Sequence, residues 1–284
     1  MENSSPLPLQ GLAPKLLPPN PQRKGEGGLR YKACIKLSNN DKAVKVHPLI
    51  TVITVVFNGV KTLEQTILSV INQSYENVEF IIIDGGSTDS TLDIIQKYED
   101  AIDYWVSEAD KGIYDAMNKG IVLANGQWIN FMNAGDSFVN LGILDNIKFK
   151  CAETVVLVGN IKYESGRIFY SLSHSMTLKN AIHHQGAFYS RKLFDKLGLY
   201  STNYKVLSDY HFNFKCLKNG FILLPLNLTV ALCSNGGVSD TPKWINYREE
   251  IEIRREFVSS VLSRVMFGVY SIGRCLIKRF LRWI

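Results

Sequence analysis

Two runs of mainly apolar residues stand out in the first half of the chain, at 49–57 and 80–83. Each run leads directly into polar residues, Asn58 after the first and Asp84 after the second. Strands of parallel sheets are covered on both faces and typically carry such runs. Ligands of open α/β sheets bind beyond the carboxyl ends of the strands. The pattern therefore predicts a ligand site in the segments that follow these two strands.

Strand and helix patterns alternate along the central part of the chain. The predicted strands are 49–57, 78–83, 102–106 and 127–132, and the predicted helices are about 61–73, 90–98 and 113–124. This alternation predicts an α/β fold with a mostly parallel sheet flanked by helices. Further strands are predicted at 154–158, 167–170 and 221–232, the last of them interrupted by Pro225.

The two ends of the chain differ from this central part. Residues 1–48 are rich in proline and glycine and show no sustained period, which predicts an extended leader. Residues 49–240 form the predicted globular domain. Residues 241–284 are predicted to be an amphipathic, basic helical segment.

The C-terminal segment carries an apolar stripe at helical spacing, with basic residues mostly opposite. The stripe consists of Val258, Val261, Leu262, Val265, Val269, Ile272, Leu276, Phe280 and Trp283, and the basic residues are Arg264, Arg274, Lys278 and Arg282. Such a helix either packs on protein or lies on an anionic membrane surface, and the basic face favours the membrane. Its charges are too frequent for a membrane-spanning helix.

Composition and charge narrow the class of protein. With 284 residues, 46% of them hydrophobic, the chain can bury a sizeable core. A net charge of +6 suits nucleic acid, an anionic membrane or a diphosphate substrate. Because the positive charge concentrates in the C-terminal segment, we expect a membrane partner and no nucleic acid. Five scattered cysteines without metal-ligand spacing, and no apolar signal segment, predict a cytoplasmic protein.

Three aspartates occupy positions typical of functional carboxylates, and each also has a structural alternative. Asp84 could accept a hydrogen bond from a nucleobase, or form an Asx turn or helix cap. Asp136 follows a predicted strand and could bind Mg²⁺ or Mn²⁺, or belong to a turn. Asp209 could deprotonate an acceptor hydroxyl, or cap the predicted helix 210–218.

Four segments together resemble family 2 glycosyltransferases. They are Val52-Ile53-Thr54-Val55-Val56-Phe57-Asn58, Asp84-Gly85-Gly86-Ser87-Thr88-Asp89, Asp110-Lys111-Gly112-Ile113-Tyr114-Asp115-Ala116-Met117-Asn118-Lys119-Gly120 and Asn133-Ala134-Gly135-Asp136. Their order and spacing carry the resemblance, which covers roughly residues 49–240. The third segment is similar to a branch that includes colanic-acid and O-antigen biosynthetic transferases.

The resemblance implies a GT-A fold, with a nucleotide-binding sheet and a nucleotide-sugar donor. It implies that Asp209 is the general base and that Asp136 binds the divalent cation. Thr54, Val55 and Phe57 would wall the base pocket, Asp84 would bond the base, and Asp115, Asn118 and Lys119 would face the ribose, diphosphate or donor sugar. Asn58, Gly85 and His184 complete the predicted substrate-binding residues. Independently of the resemblance, the run His183-His184-Gln185 could contact a phosphate or the acceptor, or be merely solvated or hydrogen-bonded.

Three departures from the family pattern bear on these roles. The first aspartate of the Asp-x-Asp motif is missing, with Asn133 and Ala134 nearby, which implies fewer protein ligands for the metal. Residues 116–118 are Ala-Met-Asn where the family frequently has Ala-Arg-Asn. The arginine that would face the diphosphate is therefore missing, and Lys119 is left as the cation that could replace it. Ser208 stands where a glutamate usually precedes the general base.

The predicted reaction is an inverting single displacement from a nucleotide sugar, UDP-linked in preference to GDP-linked. The acceptor would be a hydroxyl of a lipid-linked saccharide in bacterial surface polysaccharide biosynthesis, with the enzyme peripheral on the inner face of the plasma membrane. One alternative is a nucleotidyltransferase, but the chain has no glycine-rich, basic phosphate motif near the first strand. The other is a catalytically silent nucleotide-sugar-binding scaffold, which the missing aspartate favours.

Overall fold

The computed structural model describes residues 13–37, 47–149, 155–171, 180–235 and 244–280. The strands are β1 (Gly25–Gly27), β2 (Ile50–Val56), β3 (Val78–Asp84), β4 (Tyr104–Ser107), β5 (Trp128–Phe131), β6 (Ser137–Phe138), β7 (Val155–Tyr163), β8 (Ile168–Phe169), β9 (Ala187–Ser190) and β10 (Ile222–Cys233). The α-helices are α1 (Leu63–Ile71), α2 (Thr91–Lys97), α3 (Ile113–Leu123), α4 (Arg191–Leu197), α5 (Ser208–Lys218), α6 (Trp244–Phe257) and α7 (Val261–Phe280).

Over these residues the strands form one mixed sheet. Its order is β1-β4-β3-β2-β5-β9-β7-β10-β6, and β8 pairs with β7 outside this path. β4, β3, β2 and β5 are parallel neighbours, whereas β9 is antiparallel to both β5 and β7. The parallel half is the part that alternates with α1, α2 and α3, as the sequence pattern predicts.

β2 lies in the middle of the core because both of its faces are covered. All seven of its residues are buried. Ile53 and Val55 pack in one apolar cluster with Met117 of α3, and Val52 packs in the opposite cluster with Ile67 of α1. Alternate side chains of a strand point to opposite faces, so a run of apolar residues is required at this position.

Helix α3 approaches β2 closely at Gly120. A Cβ atom added there would lie 2.5 Å from Cγ2 of Ile53, so the small residue permits the contact. The apolar residues of this helix do not all face the core. Met117 and Ile121 are buried, whereas Ile113 and Val122 are 39% and 56% exposed.

Part of the predicted leader belongs to the folded domain. β1 pairs antiparallel with the edge strand β4, although this glycine-rich segment shows no strand pattern in the sequence. Arg30 is buried and forms an ion pair with Glu79 at 2.7 Å. Lys24 donates to the carbonyl oxygens of Gly86 and Ser87, both at 2.8 Å. Residues 1–12 and 38–46 of the leader lie outside the described residues.

β10 runs through Pro225 without a break, contrary to the prediction. Pro225 pairs with Val158 of β7, and the strand absorbs the disturbance by shifts in register between Pro225 and Thr229 and again before Ala231. Bulges are a common way to place proline in a strand. Among the described residues, Cys34, Cys216, Cys233 and Cys275 form no disulfide.

The C-terminal segment forms two helices, α6 and α7, rather than one. Arg254 of α6 is buried, pairs with Glu250 and donates to Ser271 of α7 at 2.7 Å. Arg274 of α7 pairs with the same Glu250 at 3.0 Å. Residues 281–284, including Arg282 and Trp283, and the side chains of Lys278 and Phe280 lie outside the described part.

Candidate active site

A cleft of about 580 Å³ opens at the carboxyl ends of the parallel strands. Its lining residues come from the segments after β2, β4 and β5, and from loops before β9 and α5. Of the predicted site residues, those that line the cleft are Val55, Phe57, Asn58, Asp136 and His184. The cleft therefore lies where the strand pattern places the ligand site.

The chain leaves β2 through an aromatic residue and a left-handed turn. Phe57 is 63% exposed at the cleft, unlike the buried strand before it. Asn58 has a φ of 52°, a conformation that asparagine tolerates better than most residues. Its side-chain oxygen accepts a hydrogen bond from the N–H of Thr88 at 2.8 Å, which links this turn to the loop after β3.

Asp84 ends β3 and is fully buried below that loop. Its Oδ2 accepts hydrogen bonds from Ser107 Oγ at 2.6 Å and from the N–H of Ser87 at 3.0 Å, and Ser87 Oγ donates to Oδ1. Asp84 does not line the cleft. The structure shows it organising the loop, and its predicted contact with the base stays a prediction.

Thr54 is also turned into the protein. Its hydroxyl is buried and donates to the carbonyl oxygen of Met132 at 2.7 Å, which ties β2 to the end of β5. Val55 supplies the wall of the cleft instead, with Phe57 beyond it. Thr54 is therefore placed to support the wall rather than to form it.

The three polar residues predicted on α3 each have partners within the protein. Asp115 accepts a hydrogen bond from the N–H of Lys111 at 3.0 Å. Asn118 exchanges two hydrogen bonds of 2.9 Å with the backbone of Tyr200. Lys119 forms an ion pair of 2.8 Å with Glu108. None of the three lines the cleft, and their predicted contacts with the donor stay predictions.

Asp136 lies at the turn between β5 and β6 and is 6% exposed. Its Oδ2 accepts a hydrogen bond from Gln185 Nε2 at 2.7 Å, and its Oδ1 accepts one from the N–H of Ser234 at 3.2 Å. Burial raises the pKa of this carboxyl, and the hydrogen bond from Gln185 opposes that shift.

The oxygen atoms around Asp136 suit a hard divalent cation. The side-chain oxygens of Asn133 and Gln185 are buried and have no hydrogen-bond partner among the described residues. Both residues line the same cleft as Asp136. Carboxylate and amide oxygens are the donors that Mg²⁺ and Mn²⁺ accept. Within the described residues, no group of three or more His, Cys, Asp or Glu could hold a metal ion. The donor set that fits is thus one carboxylate with two amide oxygens.

Asp209 lies in the first turn of α5 and is 5% exposed. Asp209 is not the N-cap of this helix, because α5 begins at Ser208 and Leu207 occupies the capping position. The Tyr114 hydroxyl lies 2.6 Å from the Val206 carbonyl oxygen and 3.1 Å from Asp209 Oδ1, so its one proton is shared between these acceptors. Asp209 Oδ2 lies 3.2 Å from His184 Nδ1. Tyr114 and His184 line the cleft, whereas Asp209 lies behind them.

The neighbours of His184 fix its tautomer. Asn133 Nδ2 lies 2.8 Å from His184 Nε2. An amide nitrogen can only donate, so Nε2 accepts and Nδ1 carries the proton toward Asp209. His184 is therefore held between the predicted base and a residue beside the predicted metal ligand.

The loop before Asp209 is anchored from the C-terminal region. Glu249 of α6 is 2% exposed and accepts hydrogen bonds from three consecutive backbone N–H groups, those of residues 205–207, at 2.8, 3.0 and 3.0 Å. This contact joins residues that are more than forty positions apart, and no motif in the sequence indicates it. α6 is thus part of what positions Asp209.

Sequence reasoning missed several residues that line the cleft. They include Asp110, Tyr114 and Lys205. Asp110 and Tyr114 lie inside the motif segments, so their neighbourhood is a signal in the sequence. Lys205 lies outside all of these segments.

The chain is similar in sequence to known proteins of one family. The family model described as glycosyl transferase family 2 matches residues 51–215, more than half of the chain. A PGL/p-HBAD biosynthesis glycosyltransferase of Mycobacterium bovis is 30% identical over 205 residues, which cover 68% of this chain and 80% of the relative.

Two solved structures share the fold. TarS of S. aureus, residues 1–349 in complex with UDP, has a TM-score of 0.56 at 18% identity, covering 80% of this chain and 71% of that chain. PcManGT, a mannosyltransferase of Pyrobaculum calidifontis in complex with GDP-Man and Mn²⁺, has a TM-score of 0.55 at 20% identity, covering 74% and 61%. This chain spans 41% of a longer TarS structure. The likeness confirms the predicted GT-A fold. Together with the match over residues 51–215, it leads to one conclusion: the chain belongs to glycosyltransferase family 2 and is a transferase.

Proposed function

We propose that this enzyme moves a sugar from a nucleotide-sugar donor, UDP-linked in preference to GDP-linked, to a hydroxyl of a lipid-linked saccharide. One observation carries the proposal. Two consecutive loop residues contact the two predicted reactive carboxylates: His184 contacts Asp209, and Gln185 contacts Asp136. One short segment thus connects the predicted base and the predicted metal ligand, and such fixed placement of reactive groups favours a displacement at a single carbon.

The donor class is supported by the structures that share the fold. TarS structures hold UDP and UDP-GlcNAc, and the PcManGT structure holds GDP-Man. The exposed Phe57 at the end of β2 offers an apolar face to a nucleobase. A cleft of about 580 Å³ is within the ordinary size of small-molecule sites.

In the proposed reaction the acceptor oxygen attacks the anomeric carbon opposite the leaving diphosphate. The bond from that carbon to the diphosphate oxygen breaks, and the acceptor proton passes to the Asp209 carboxylate. Since Asp209 lies behind Tyr114 and His184, this step requires the carboxylate and the acceptor to come within hydrogen-bond reach when substrate binds. His184 donates to Asp209 from Nδ1 and lines the cleft, so it orients the carboxylate. General-base assistance of this kind is worth about 10²–10⁴-fold in rate.

A divalent cation, Mg²⁺ or Mn²⁺, belongs to the same proposal. Asp136 would hold it, with the free amide oxygens of Asn133 and Gln185 as further ligands. When bound, the cation supplies positive charge that stabilises the leaving diphosphate. With a single carboxylate in the set, we expect weaker metal binding than in an Asp-x-Asp site.

The exposed face of α7 supports membrane docking. Val261, Leu262, Val265 and Val269 are between 59% and 72% exposed. Arg264 and Arg274 instead turn toward the protein, to Val258 and Glu250. A helix that packed its apolar stripe on protein would bury these apolar side chains and turn its arginines toward solvent. In the described residues, no helix has the length and apolar character needed to cross a bilayer.

We therefore place the enzyme at the inner face of the plasma membrane, bound through α7. A lipid-linked acceptor would present its saccharide at that surface, and a biosynthetic role in bacterial surface polysaccharides would fit this location. The M. bovis relative is described as a PGL/p-HBAD biosynthesis glycosyltransferase, which supports a biosynthetic role for this enzyme.

A donor panel tests the proposal. Nucleotide release from UDP- and GDP-sugars is measured with Mn²⁺ or Mg²⁺ and a membrane lipid extract, for the wild type, Asp136→Ala and Asp209→Asn. We expect release with one donor and loss in both variants. Tight nucleotide binding without release from any donor would reject the transfer proposal in favour of the silent scaffold.

A further inference from the structure

We propose that Asp110 recognises the nucleobase of the donor by accepting a hydrogen bond from a ring N–H. The inference rests on the proposed nucleotide-sugar donor. It assigns the carboxylate that distinguishes bases with a ring N–H, such as uracil and guanine, from bases that present a ring nitrogen acceptor, such as cytosine.

The position of Asp110 in the cleft is the first step. It follows β4 and lines the cleft together with Phe57. A Cβ atom added at Gly85 would overlap Asp110 Oδ2 and would lie 3.5 Å from Phe57 Cδ2. Asp110 therefore lies directly over Gly85 and beside the exposed aromatic ring. The absence of a side chain at residue 85 is what permits this close approach.

The two oxygens of Asp110 have different environments. Oδ1 accepts a hydrogen bond from the N–H of Gly112 at 2.8 Å, which fixes the orientation of the carboxylate. Among the described residues, no hydrogen bond reaches Oδ2. The free oxygen of a fixed carboxylate is a pre-organised acceptor.

Asp84 contrasts with Asp110 at the same end of the cleft. Asp84 is 0% exposed, and Ser87 and Ser107 already donate to its oxygens. It does not line the cleft, although it ends the adjacent strand. A base stacked on Phe57 would reach Asp110 first. Asp84 then acts below the loop, as a positioning residue for it.

The chemistry of the bases makes the inference specific. Uracil N3 and guanine N1 carry a proton, whereas cytosine N3 carries a lone pair. A carboxylate attracts the first two and repels the third. Sites built to bond one polar group discriminate strongly against an analogue that lacks it, because the partner is left unpaired.

The test is the ranking of UDP, GDP and CDP by dissociation constant in wild type and Asp110→Asn. In the variant, the amide oxygen stays on the Gly112 N–H, so the amide nitrogen replaces Oδ2 and offers a proton to the base. We expect binding of UDP, or of GDP, to weaken about tenfold or more, since a hydrogen bond to a charged group is lost. CDP should gain relative to UDP. Asp93→Asn, which removes an exposed carboxylate on α2, is the matched control and should leave the ranking unchanged.

One further variant and three outcomes decide whether Asp110 is the residue that recognises the base. Asp84→Asn is expected to lower the affinity for UDP and CDP alike, since it loosens the loop without facing the base. If Asp84→Asn inverts the UDP and CDP ranking and Asp110→Asn does not, the assignment of Asp110 is wrong. An unchanged ranking in Asp110→Asn, with tight UDP binding, overturns this inference alone. A wild type that binds none of the three nucleotides overturns the proposed function and this inference with it.

Discussion

The Nδ1 atom of His184 lies 3.2 Å from Oδ2 of Asp209, while Nε2 of the same ring lies 2.8 Å from Asn133 Nδ2. One imidazole therefore connects the helix that carries the predicted base to the turn that carries the predicted metal ligand. The ring lines the cleft and the carboxylate does not. His184 is thus positioned to orient Asp209 and to meet the substrate, two roles that the sequence alone leaves separate.

Asp209→Asn should reduce transfer by about 10²–10⁴-fold while nucleotide binding stays within a few-fold of wild type. The amide removes the proton acceptor but keeps the shape that Tyr114 and His184 contact. Single-turnover transfer and nucleotide binding are measured on the same preparations. Asp195→Asn, at an exposed position on α4, is the control. Equal rates for wild type and Asp209→Asn would rule out Asp209 as the base.

Glu249→Ala should lower both the free energy of unfolding and the rate of transfer. The change leaves three backbone N–H groups at 205–207 without their acceptor, next to Asp209. Since bonds to a charged group are involved, we expect a loss of about 2 kcal/mol or more in denaturant unfolding. Hydrogen exchange should increase at 205–207.

Glu252→Ala is the matched control for this change, because Glu252 is exposed and pairs with Arg248 on the surface of α6. Its free energy of unfolding should change by less than about 1 kcal/mol. Similar losses in the two variants would show that Glu249 has no special anchoring role.

Arg30→Met should destabilise the domain strongly. Arg30 and Glu79 form a buried pair, and Glu79 also accepts hydrogen bonds from Thr51 and Asn125. Removing one partner of such a pair typically costs about 3–5 kcal/mol. The double variant Arg30→Met with Glu79→Gln should recover part of the loss. Lys32→Met, which breaks an exposed pair with Asp100, should change the free energy of unfolding far less in the same experiment, because water screens an exposed ion pair.

Donor binding should weaken as the pH falls. The loss of affinity should begin at a higher pH than the ordinary pKa of an aspartate would give. Burial raises the pKa of Asp110; the Gly112 N–H and the charge of Lys119 oppose that shift, and the charges of Asp115 and Asp84 add to it. Only the ionised carboxylate accepts the ring N–H. UDP affinity is therefore expected to fall as the pH drops through the raised pKa, and Asp110→Asn should remove this fall.

The raised pKa of Asp110 affects the stability of the fold in the opposite direction to its effect on donor binding. Because the pKa of Asp110 is higher in the folded protein than in the unfolded chain, its contribution to stability is present below the unfolded pKa and is lost as the pH rises through the folded pKa. The free energy of unfolding of Asp110→Asn should not contain this pH-dependent contribution. A pH profile of UDP binding that is the same in both proteins would contradict the predicted role of Asp110.

A charge placed on the exposed face of α7 should weaken membrane binding. Val265→Glu and Val269→Glu introduce a carboxylate at positions that are 59% and 66% exposed, so folding should be little affected. Sedimentation with vesicles of phosphatidylcholine and phosphatidylglycerol measures the bound fraction. Gln96→Glu adds the same charge on exposed α2 and is the control. Equal binding of all variants would show that this face does not dock on lipid.

The sequence predicted the parallel half of the sheet well, because each of its strands is covered on both faces and leaves an uninterrupted apolar run. β2 and β3 match the predicted 49–57 and 78–83 closely. β1 was not predicted, since its pairing with β4 uses backbone groups that a glycine-rich segment offers without any side-chain pattern. The break between α6 and α7 also has no periodic signal.

The sequence by itself determined the fold class, the family resemblance and the positions where carboxylates leave the strands. These are local properties, set by strand periodicity and by residues adjacent in the chain. Only the tertiary structure decided which carboxylates face the cleft. It turns Asp84 inward and Asp110 outward, and it brings His184 to Asp209 and Glu249 to residues 205–207. Such contacts join distant segments, so they depend on how helices and loops pack on the sheet rather than on any spacing along the chain.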